Sequence, residues 1–241
     1  MKIQLIGTGA IGSIRNSASV LINNHILFDV PNGNLKAMLR QKVDVEKIDT
    51  IIISHLHGDH CFDMPFILLY KNSICKSGRT VKIITDEDTM QTLELLNKSS
   101  HFFDFDENKI QIEKVDIKDV TNKKIDSEIE IINEPVIHGK VKYATGYIFK
   151  DKGISVGITG DTSICQGVKK MANQVDYLIA DISRENGTDA HMGIKEILEV
   201  LKENPKLKII ATHMYDETRE KLKELNEERL IIVEDGMVFE F

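Results

Sequence analysis

Residues 51–60 read Ile51-Ile52-Ile53-Ser54-His55-Leu56-His57-Gly58-Asp59-His60. The apolar, β-branched start of this stretch is typical of a buried strand, and three histidines and an aspartate follow within six positions. Ligand-type side chains at the exit of a core strand are costly to leave unpaired, and a divalent metal ion is their usual partner. We therefore predict a metal site here rather than a solvated polar loop.

The spacing of these residues predicts two pairs of ligands. His55 and His57 lie two positions apart in chain that is still extended, so they project to the same side. Gly58 lets the backbone turn, and Asp59 and His60 follow at the start of a predicted helix over 61–72. Two separate pairs favour two metal ions over one, because the ions of a paired site lie only about 3.5–4 Å apart.

Composition limits the class of protein. A chain of 241 residues fits a single domain over 1–241. Its N-terminal apolar run is too short for a signal peptide, and no run approaches the roughly 20 residues of a membrane span. Cys61, Cys75 and Cys165 are widely spaced and odd in number, which is typical of free thiols in a reducing compartment. We therefore expect a cytoplasmic protein without a membrane partner.

A second motif, near the N-terminus, would indicate a nucleotide cofactor instead of a metal site. Gly7 to Gly12 matches the dinucleotide fingerprint G-x-G-x-x-G, with Asp29 as a candidate ribose partner. That fingerprint requires a helix after its third glycine, yet residues 13–19 are polar and lack an apolar stripe. Apolar runs on both sides of Asn23-Asn24 predict a hairpin instead. We therefore expect the glycines to form a tight turn that brings backbone close to the site.

Three further strand ends carry ligand-type residues, near positions 137, 160 and 211, and a histidine precedes an amphipathic helix. The residues concerned are His138, Asp161, His213 and, before the helix, His191. The last apolar runs, Leu230–Val233 and 237–241, flank Asp235-Gly236 and predict a closing hairpin. This order of elements predicts an α/β (α+β) fold in which two mixed sheets pack face to face between helices, with the site at one rim.

These residues resemble a known superfamily. The motif His55-x-His57-x-Asp59-His60, followed by His138, Asp161 and His213, is similar to that of the metallo-β-lactamase fold superfamily. The ribonuclease Z and phosphodiesterase branch is the most similar, through 7–10 with Arg15-Asn16, 160–162, Ala190-His191 before a helix, and 234–237. The resemblance implies a four-layer αββα sandwich.

The resemblance also implies roles for the site residues. His55, His57 and His138 would bind one ion, Asp59, His60 and His213 the other, and Asp161 would bridge both. Zinc is the first choice, with manganese or iron as alternatives, since histidine and carboxylate ligands accept all three. Two such ions would give a bridging hydroxide as nucleophile. Asp59 would orient that water or accept its proton, and His191, supported by Asp181 or Glu185, would protonate the leaving oxygen.

The expected function is a metal-dependent hydrolase, namely a phosphodiesterase acting on a small or cyclic phosphodiester. Ribonuclease Z proteins carry a long inserted arm that grips tRNA, and the 23 positions from His138 to Asp161 leave no room for it. Net charge is −7, and 214–217 departs from the Ser-Arg-Tyr-like sequence of that branch. RNA is therefore the less favoured substrate. The alternatives are a ribonuclease Z-type tRNA 3′ endonuclease, an ester, thioester or lactone hydrolase, and a metal-binding regulatory protein with a vestigial site; a homodimer is left open.

Overall fold

The computed structural model describes residues 1–74, 79–100, 110–117, 123–124 and 129–241. Cys61 and Cys165 are free thiols, and burial raises the pKa of Cys61 to about 12. The expectation of a free thiol at Cys75 lies outside the described residues. Among the helices of the described ranges, none combines the length and the apolar character that crossing a bilayer requires.

The first sheet has seven strands within the described residues, and its order is β14-β1-β2-β3-β4-β5-β6. The last four of these pair in parallel and the others antiparallel. The hairpin predicted around Asn23-Asn24 is confirmed, since Ile22 pairs with Ile26. The strands are β1 (Lys2–Gly7), β2 (Ser19–Ile22), β3 (Ile26–Phe28), β4 (Thr50–Ile52), β5 (Arg79–Thr85), β6 (Ile110–Asp116) and β14 (Val238–Glu240).

The second sheet also has seven strands in the described part of the chain, ordered β13-β12-β11-β10-β9-β8-β7. Here β10 to β13 pair in parallel, and β7 to β10 antiparallel. Each sheet therefore has one parallel and one antiparallel half. The strands are β7 (Lys123–Lys124), β8 (Glu130–Pro135), β9 (Thr145–Asp151), β10 (Ile154–Ile158), β11 (Tyr177–Asp181), β12 (Lys208–Thr212) and β13 (Leu230–Ile232).

The helices divide between the two sheets. The helix predicted over 61–72 is interrupted at 62–63, because the Asp63 N–H donates to the Val30 carbonyl at 3.0 Å and not to the carbonyl four residues before it. The first group is α1 (Asn34–Arg40), a 3-10 helix (Val45–Lys47), α2 (Gly58–Cys61), α3 (Met64–Ile74) and α4 (Glu87–Ser99). The second group is α5 (Gln166–Ala172), α6 (Ile194–Glu203) and α7 (Asp216–Lys223).

Alternation along the central strands produces the four layers. In the first sheet Ile51 and Ile53 pack against the helices, whereas Ile52 packs between the sheets. In the second sheet Ile209 faces the helices and Ile210 joins the same inter-sheet core. A strand buried on both faces needs no polar side of its own, which is why the Ile51–Ile53 run is continuously apolar. The predicted two-sheet αββα sandwich is confirmed.

The closing hairpin predicted around Asp235-Gly236 is wrong. β13 pairs in parallel with β12, and β14 pairs antiparallel with β1, so the two strands belong to different sheets. Gly236 adopts a left-handed φ of 87° and its N–H donates to the Leu5 carbonyl, 2.6 Å away. Both sheet edges offer apolar partners to a short apolar strand, so the turn carries the chain from one sheet to the other instead of folding it back.

The glycine turn after β1 lies beside the end of β12, as predicted. In the described segment from Gly7 to Ser19 no helix forms. The Ala10 N–H donates to the Met214 carbonyl at 3.0 Å, and Gly9 bridges to Met214. This segment therefore contributes backbone to the rim of the sandwich, and it lacks the helix that a dinucleotide site needs.

Candidate metal centre

The candidate site lies where the carboxyl ends of the parallel strands of both sheets meet. Residues 55–60 follow β4 in the first sheet. Asp161 follows β10, Asp181 ends β11 and His213 follows β12 in the second sheet. His138 comes from the connection between β8 and β9. Parallel strands deliver their ends to one edge, and facing two such edges concentrates these side chains in one place.

One group in the site consists of three histidines. His57 Nδ1 lies 3.0 Å from His55 Nε2 and 3.1 Å from His138 Nε2. His55 is fully buried and His138 nearly so. Three ring nitrogens that converge within such distances can share one metal ion, and these three residues form one of the groups able to hold it.

The second group is built on carboxylates. Asp161 Oδ2 lies 3.2 Å from His60 Nε2 and 3.1 Å from His213 Nε2, and 3.9 Å from His138 of the first group. Asp59 Oδ2 lies 3.8 Å from both His60 Nε2 and His213 Nε2. Asp161 thus contacts both groups, whereas Asp59 contacts only the second. All seven predicted ligand residues are brought together in this way.

Two buried nitrogen atoms support a metal at this place. Among the described residues, neither His60 Nε2 nor His213 Nε2 has a hydrogen-bond partner of acceptable geometry. A buried polar atom without a partner costs free energy, and a cation accepting the nitrogen lone pair removes that cost. The mix of imidazole and carboxylate donors also suits a divalent ion, so the residues present fit the metal that the sequence predicts.

Hydrogen bonds behind the histidines fix which nitrogen faces the centre. Metal-binding histidines generally donate their other ring N–H to an oxygen, which sets the tautomer and the ring orientation. In four of these rings Nδ1 faces an oxygen atom and Nε2 is left for the centre. The contacts are His55 to Ser54 Oγ at 2.9 Å, His60 to Asp29 Oδ2 at 2.8 Å, His138 to the Ala190 carbonyl at 2.7 Å and His213 to Ser183 Oγ at 2.9 Å.

Asp29 belongs to the site, although the sequence suggested it only as a ribose partner in the rejected dinucleotide motif. It follows β3 with a left-handed φ of 58° and is almost completely buried. Its carboxylate accepts from the Ser54 N–H and Oγ as well as from His60. The available signal was an aspartate ending an apolar run, but its partner lies 31 positions away.

The buried carboxylates of the site stabilise positive charge on the neighbouring histidines. Burial acts to lower the pKa of His213, but Asp161, Asp181 and Asp59 outweigh it and raise that pKa to about 10. Burial likewise opposes protonation of His60, yet Asp161 and Asp29 hold its pKa well above the usual value. The carboxylates therefore create a strongly cation-attracting centre in which a divalent ion would replace protons.

His191 lies beside the two groups and has a different environment. Its side chain is 25% exposed, and its Nδ1 lies 2.8 Å from Asp181 Oδ2. Burial opposes the shift, but Asp181 raises the pKa of His191. Glu185, the other candidate support, pairs instead with Lys221. The structure therefore places Asp181, rather than Glu185, behind His191.

A cavity of about 660 Å³ gives access to these residues. Its lining includes His57, Asp59, His138, Asp161 and His213 from the two groups, together with His191. The remaining lining residues come from the glycine turn, the start of α2 and the segments after β8, before α6 and after β12, namely Ile11, Gly58, Gly139, Lys140, Val141, Ala190 and Tyr215. Its volume lies within the range of sites for small organic ligands.

Curated relatives of the chain include ribonucleases Z. That of Sulfolobus acidocaldarius is 24% identical over 200 residues, which cover 69% of this chain and 68% of that protein. That of Methanocaldococcus jannaschii is 31% identical over 157 residues, or 63% of this chain and 48% of that protein. The chain thus spans about two thirds of the first relative's length and about half of the second's.

Solved structures share the whole architecture. The metallo-β-lactamase fold protein YhfI from Bacillus subtilis matches with a TM-score of 0.78 at 18% identity over 99% of this chain and 98% of that one. Human tRNase Z, short form, matches at 0.77 and 19% identity over 100% and 99% of the two chains. A diphosphatase from the PhnP family matches at 0.77 and 21% identity over 100% and 97%. At these identities the likeness shows the fold.

The fold and the His/Asp cluster together define a metal-dependent hydrolase of the metallo-β-lactamase superfamily, in its ribonuclease Z and phosphodiesterase branch. The resemblance found in the sequence is thereby confirmed. Residues 1–239 match the family model described as Anti-Pycsar protein Apyc1, and the chain belongs to that family.

Proposed function

We propose that this chain is a phosphodiesterase that uses two divalent metal ions on a small or cyclic phosphodiester. The observation that carries the proposal is the placement of His191. This histidine lies on the cavity wall beside the His/Asp cluster, and Asp181 engages its Nδ1, which leaves Nε2 for a substrate. A histidine supported in this way suits protonation of a leaving oxygen, as ester hydrolysis requires.

The proposed ligands follow the two groups of the site. His55, His57 and His138 would hold one ion and Asp59, His60 and His213 the other, and Asp161, which lies near both groups, would serve both. Zinc is the first choice, with manganese and iron as alternatives. When bound, two such ions supply polarisation of the phosphoryl oxygen and a lowered pKa for the attacking water.

Asp59 is proposed to orient that water or accept its proton. Burial acts to raise its pKa, but the nearby imidazoles of His213 and His60 lower the pKa below the usual value. The carboxylate is therefore ionised and can accept a hydrogen bond. It lines the cavity, which places it on the side from which substrate arrives.

Two features favour a small substrate. The cavity volume of about 660 Å³ suits a ligand of nucleotide size. The net charge of −7 gives no general attraction for a long polyanion. Cytoplasmic location and a homodimer are compatible with this proposal and stay predictions.

A second candidate function is tRNA 3′ processing. It is favoured by the curated relatives, which are named ribonuclease Z, and by the likeness of the fold to human tRNase Z. The two candidates share their metal chemistry and differ in what lies beyond the scissile phosphate.

The deciding experiment is a parallel assay of the metal-loaded full chain on bis-p-nitrophenyl phosphate, cyclic nucleotides, a pre-tRNA and a lactone. We expect cleavage of the small diesters, loss of activity with a chelator and recovery with zinc or manganese. Efficient cleavage of pre-tRNA alone would support the second candidate. Lactone hydrolysis without phosphodiester hydrolysis, or no activity with any metal, would contradict the proposal.

A further inference from the structure

The loop between β11 and α6 carries His191 and is held by a carboxylate that lies outside the cavity. Glu196 Oε2 accepts hydrogen bonds from the Gly187 N–H at 3.1 Å and from the Gly193 N–H at 3.0 Å. These donors lie at the two ends of the segment 187–193, so one oxygen atom closes that segment. Glu196 is half-buried on the first turn of α6 and is not part of the cavity lining. Any effect it has on the reaction must therefore pass through the loop.

The two glycines let the carboxylate and the loop backbone pack directly on each other. A Cβ atom added at Gly187 would lie 2.7 Å from Glu196 Cδ, and one added at Gly193 would lie 2.5 Å from the Gly187 nitrogen. A glycine is the residue that permits so close an approach of backbone. A displacement of the Glu196 side chain is therefore transmitted to the ends of the segment 187–193.

A short run of hydrogen bonds fixes the backbone of His191 within this segment. The Thr188 N–H donates to the His191 carbonyl at 2.8 Å. The Thr188 hydroxyl oxygen accepts from the N–H groups of Ala190 at 3.2 Å and His191 at 3.1 Å. On the other side Met192 is completely buried and anchors the chain towards α6. The position of the His191 backbone thus depends on Met192 at one end and, through Thr188, on Glu196 at the other.

The same loop contacts the connection between β8 and β9. The Ala190 carbonyl lies 2.7 Å from His138 Nδ1, and the Gly139 N–H donates to the Asp189 carbonyl at 3.0 Å. Residues 184–190 are mostly exposed, so apolar burial does little to fix this part of the loop. Its position beside the His/Asp cluster is therefore set mainly by polar contacts, among which Glu196 makes two.

From these contacts we propose that Glu196 is a positioning residue, which holds the segment 187–193 closed and thereby keeps the His191 imidazole on Asp181 and facing the cavity. The proposal deepens the proposed function and rests on it for the role of His191 as proton donor. A misplacement of about 1 Å, caused far from the chemistry, can cost about 10²-fold in rate. If Glu196 only stabilised the start of α6, its removal would lower the free energy of unfolding and leave the reaction unchanged.

The first test is kinetic and uses the full chain at saturating zinc. In Glu196→Ala we expect kcat on bis-p-nitrophenyl phosphate to fall about 10- to 100-fold, with KM within about twofold of the wild-type value. Glu196→Gln should stay within about threefold of the wild-type kcat, because an amide oxygen can still accept both hydrogen bonds. Glu199→Ala is the matched control, since Glu199 is exposed on the same helix three positions further on. It should keep the wild-type kcat.

A double variant tests whether the effect runs through the loop. Gly187→Ala places a methyl group against the Glu196 carboxylate and should lower kcat as Glu196→Ala does. In Glu196→Ala that carboxylate is gone, so the addition of Gly187→Ala should lower kcat no further. Two losses that simply multiply in the double variant would contradict a shared contact.

The second readout needs no turnover. Nuclear magnetic resonance of the ¹⁵N-histidine-labelled, zinc-loaded chain follows the His191 Nδ1 proton that faces Asp181, assigned by its absence in His191→Ala. Exchange of this proton with water should be about tenfold faster in Glu196→Ala and unchanged in Glu199→Ala. Unchanged exchange and unchanged kcat in Glu196→Ala, with only a lower free energy of unfolding, would overturn the proposal. Faster exchange in a chain whose wild type cleaves no phosphodiester would count against the proposed function alone.

Discussion

The two halves of the site are built alike but serve different side chains. In the first sheet, Ser54 Oγ donates to Asp29 Oδ2 and lies 2.9 Å from His55 Nδ1. In the second, Ser183 Oγ donates to Asp181 Oδ1 and lies 2.9 Å from His213 Nδ1. A hydroxyl that donates its proton to a carboxylate can only accept from the histidine. Each serine therefore fixes the ring with a proton on Nδ1 and leaves Nε2 as the atom available to a metal ion.

The difference lies in the second histidine of each half. Asp29 also contacts His60, which is 1% exposed and whose Nε2 faces the His/Asp cluster. Asp181 also engages His191, which is 25% exposed and lies on the cavity wall. Under the proposed function, the first half would serve only the ions, whereas the second would serve both the ions and the substrate. The same serine–aspartate pair would then support metal ligands alone in one half, and a ligand together with the general acid in the other.

The largest effect should come from removing the residue that joins the halves. Asp161→Ala removes a carboxylate that lies within 3.2 Å of His60 and His213. Activity on bis-p-nitrophenyl phosphate should fall on the order of 10³-fold or more, with loss of bound metal. Plasma mass spectrometry measures the bound metal, and the release of coloured nitrophenolate measures the activity. Asp176→Ala, at the amino ends of β10 and β11 where Asp176 accepts from Ser155, is the control and should keep both. Full activity in Asp161→Ala would rule out the bridge.

The next effect separates chemistry from metal binding. His191→Ala should retain the full metal content, because Asp181 rather than the cluster holds its Nδ1. Its kcat on bis-p-nitrophenyl phosphate should fall about 10²- to 10⁴-fold, the usual cost of losing a general acid. Metal analysis and kinetics on the same preparation check this. Loss of metal in the variant would mean that His191 is a ligand.

One pair of variants tests whether the two aspartates differ in function. Asp29→Asn and Asp181→Asn should each weaken metal binding about 10- to 100-fold, measured by competition with a chelating dye. At saturating zinc, kcat should recover to within about threefold in Asp29→Asn but stay low in Asp181→Asn, since only Asp181 supports His191. Equal kcat values for the two variants at saturating metal would remove the distinction.

The smallest effect concerns the two serines. Ser54→Ala and Ser183→Ala each delete a buried hydroxyl that joins an aspartate to a histidine. Each should cost about 1 kcal/mol of the free energy of unfolding, which urea denaturation measures. Because the two hydroxyls make matching contacts, their costs should agree. If only one of the two variants lost stability, the two serines would have similar contacts but unequal contributions to the free energy of unfolding.

The layers and the clustering of the His and Asp residues could be predicted from the sequence because both depend on local pattern. The Ile51–Ile53 run specifies a strand that is buried on both faces. The histidines follow it directly in the sequence, so they must lie at its carboxyl end. The second-sheet strands repeat this arrangement with Asp161 and His213. Parallel neighbours then bring distant segments to one rim without any further information from the sequence.

The remaining features depend on pairings that no local pattern records. Asp29 and His60 are joined across 31 positions, and the choice of Asp181 over Glu185 depends on which carboxylate faces inward from β11. The closing hairpin was wrong for the same reason. An apolar pair around Asp235-Gly236 fits a hairpin or a crossing between sheets equally well, and the partners β12 and β1 decide.

A metal titration of the chelator-treated chain tests directly whether the two halves form a paired metal centre. Zinc is added stepwise while bound metal, by plasma mass spectrometry after gel filtration, and hydrolysis of bis-p-nitrophenyl phosphate are followed together. We predict two equivalents of zinc per chain and activity that appears with the second equivalent. Saturation at one equivalent with full activity would contradict the paired centre formed by the two halves.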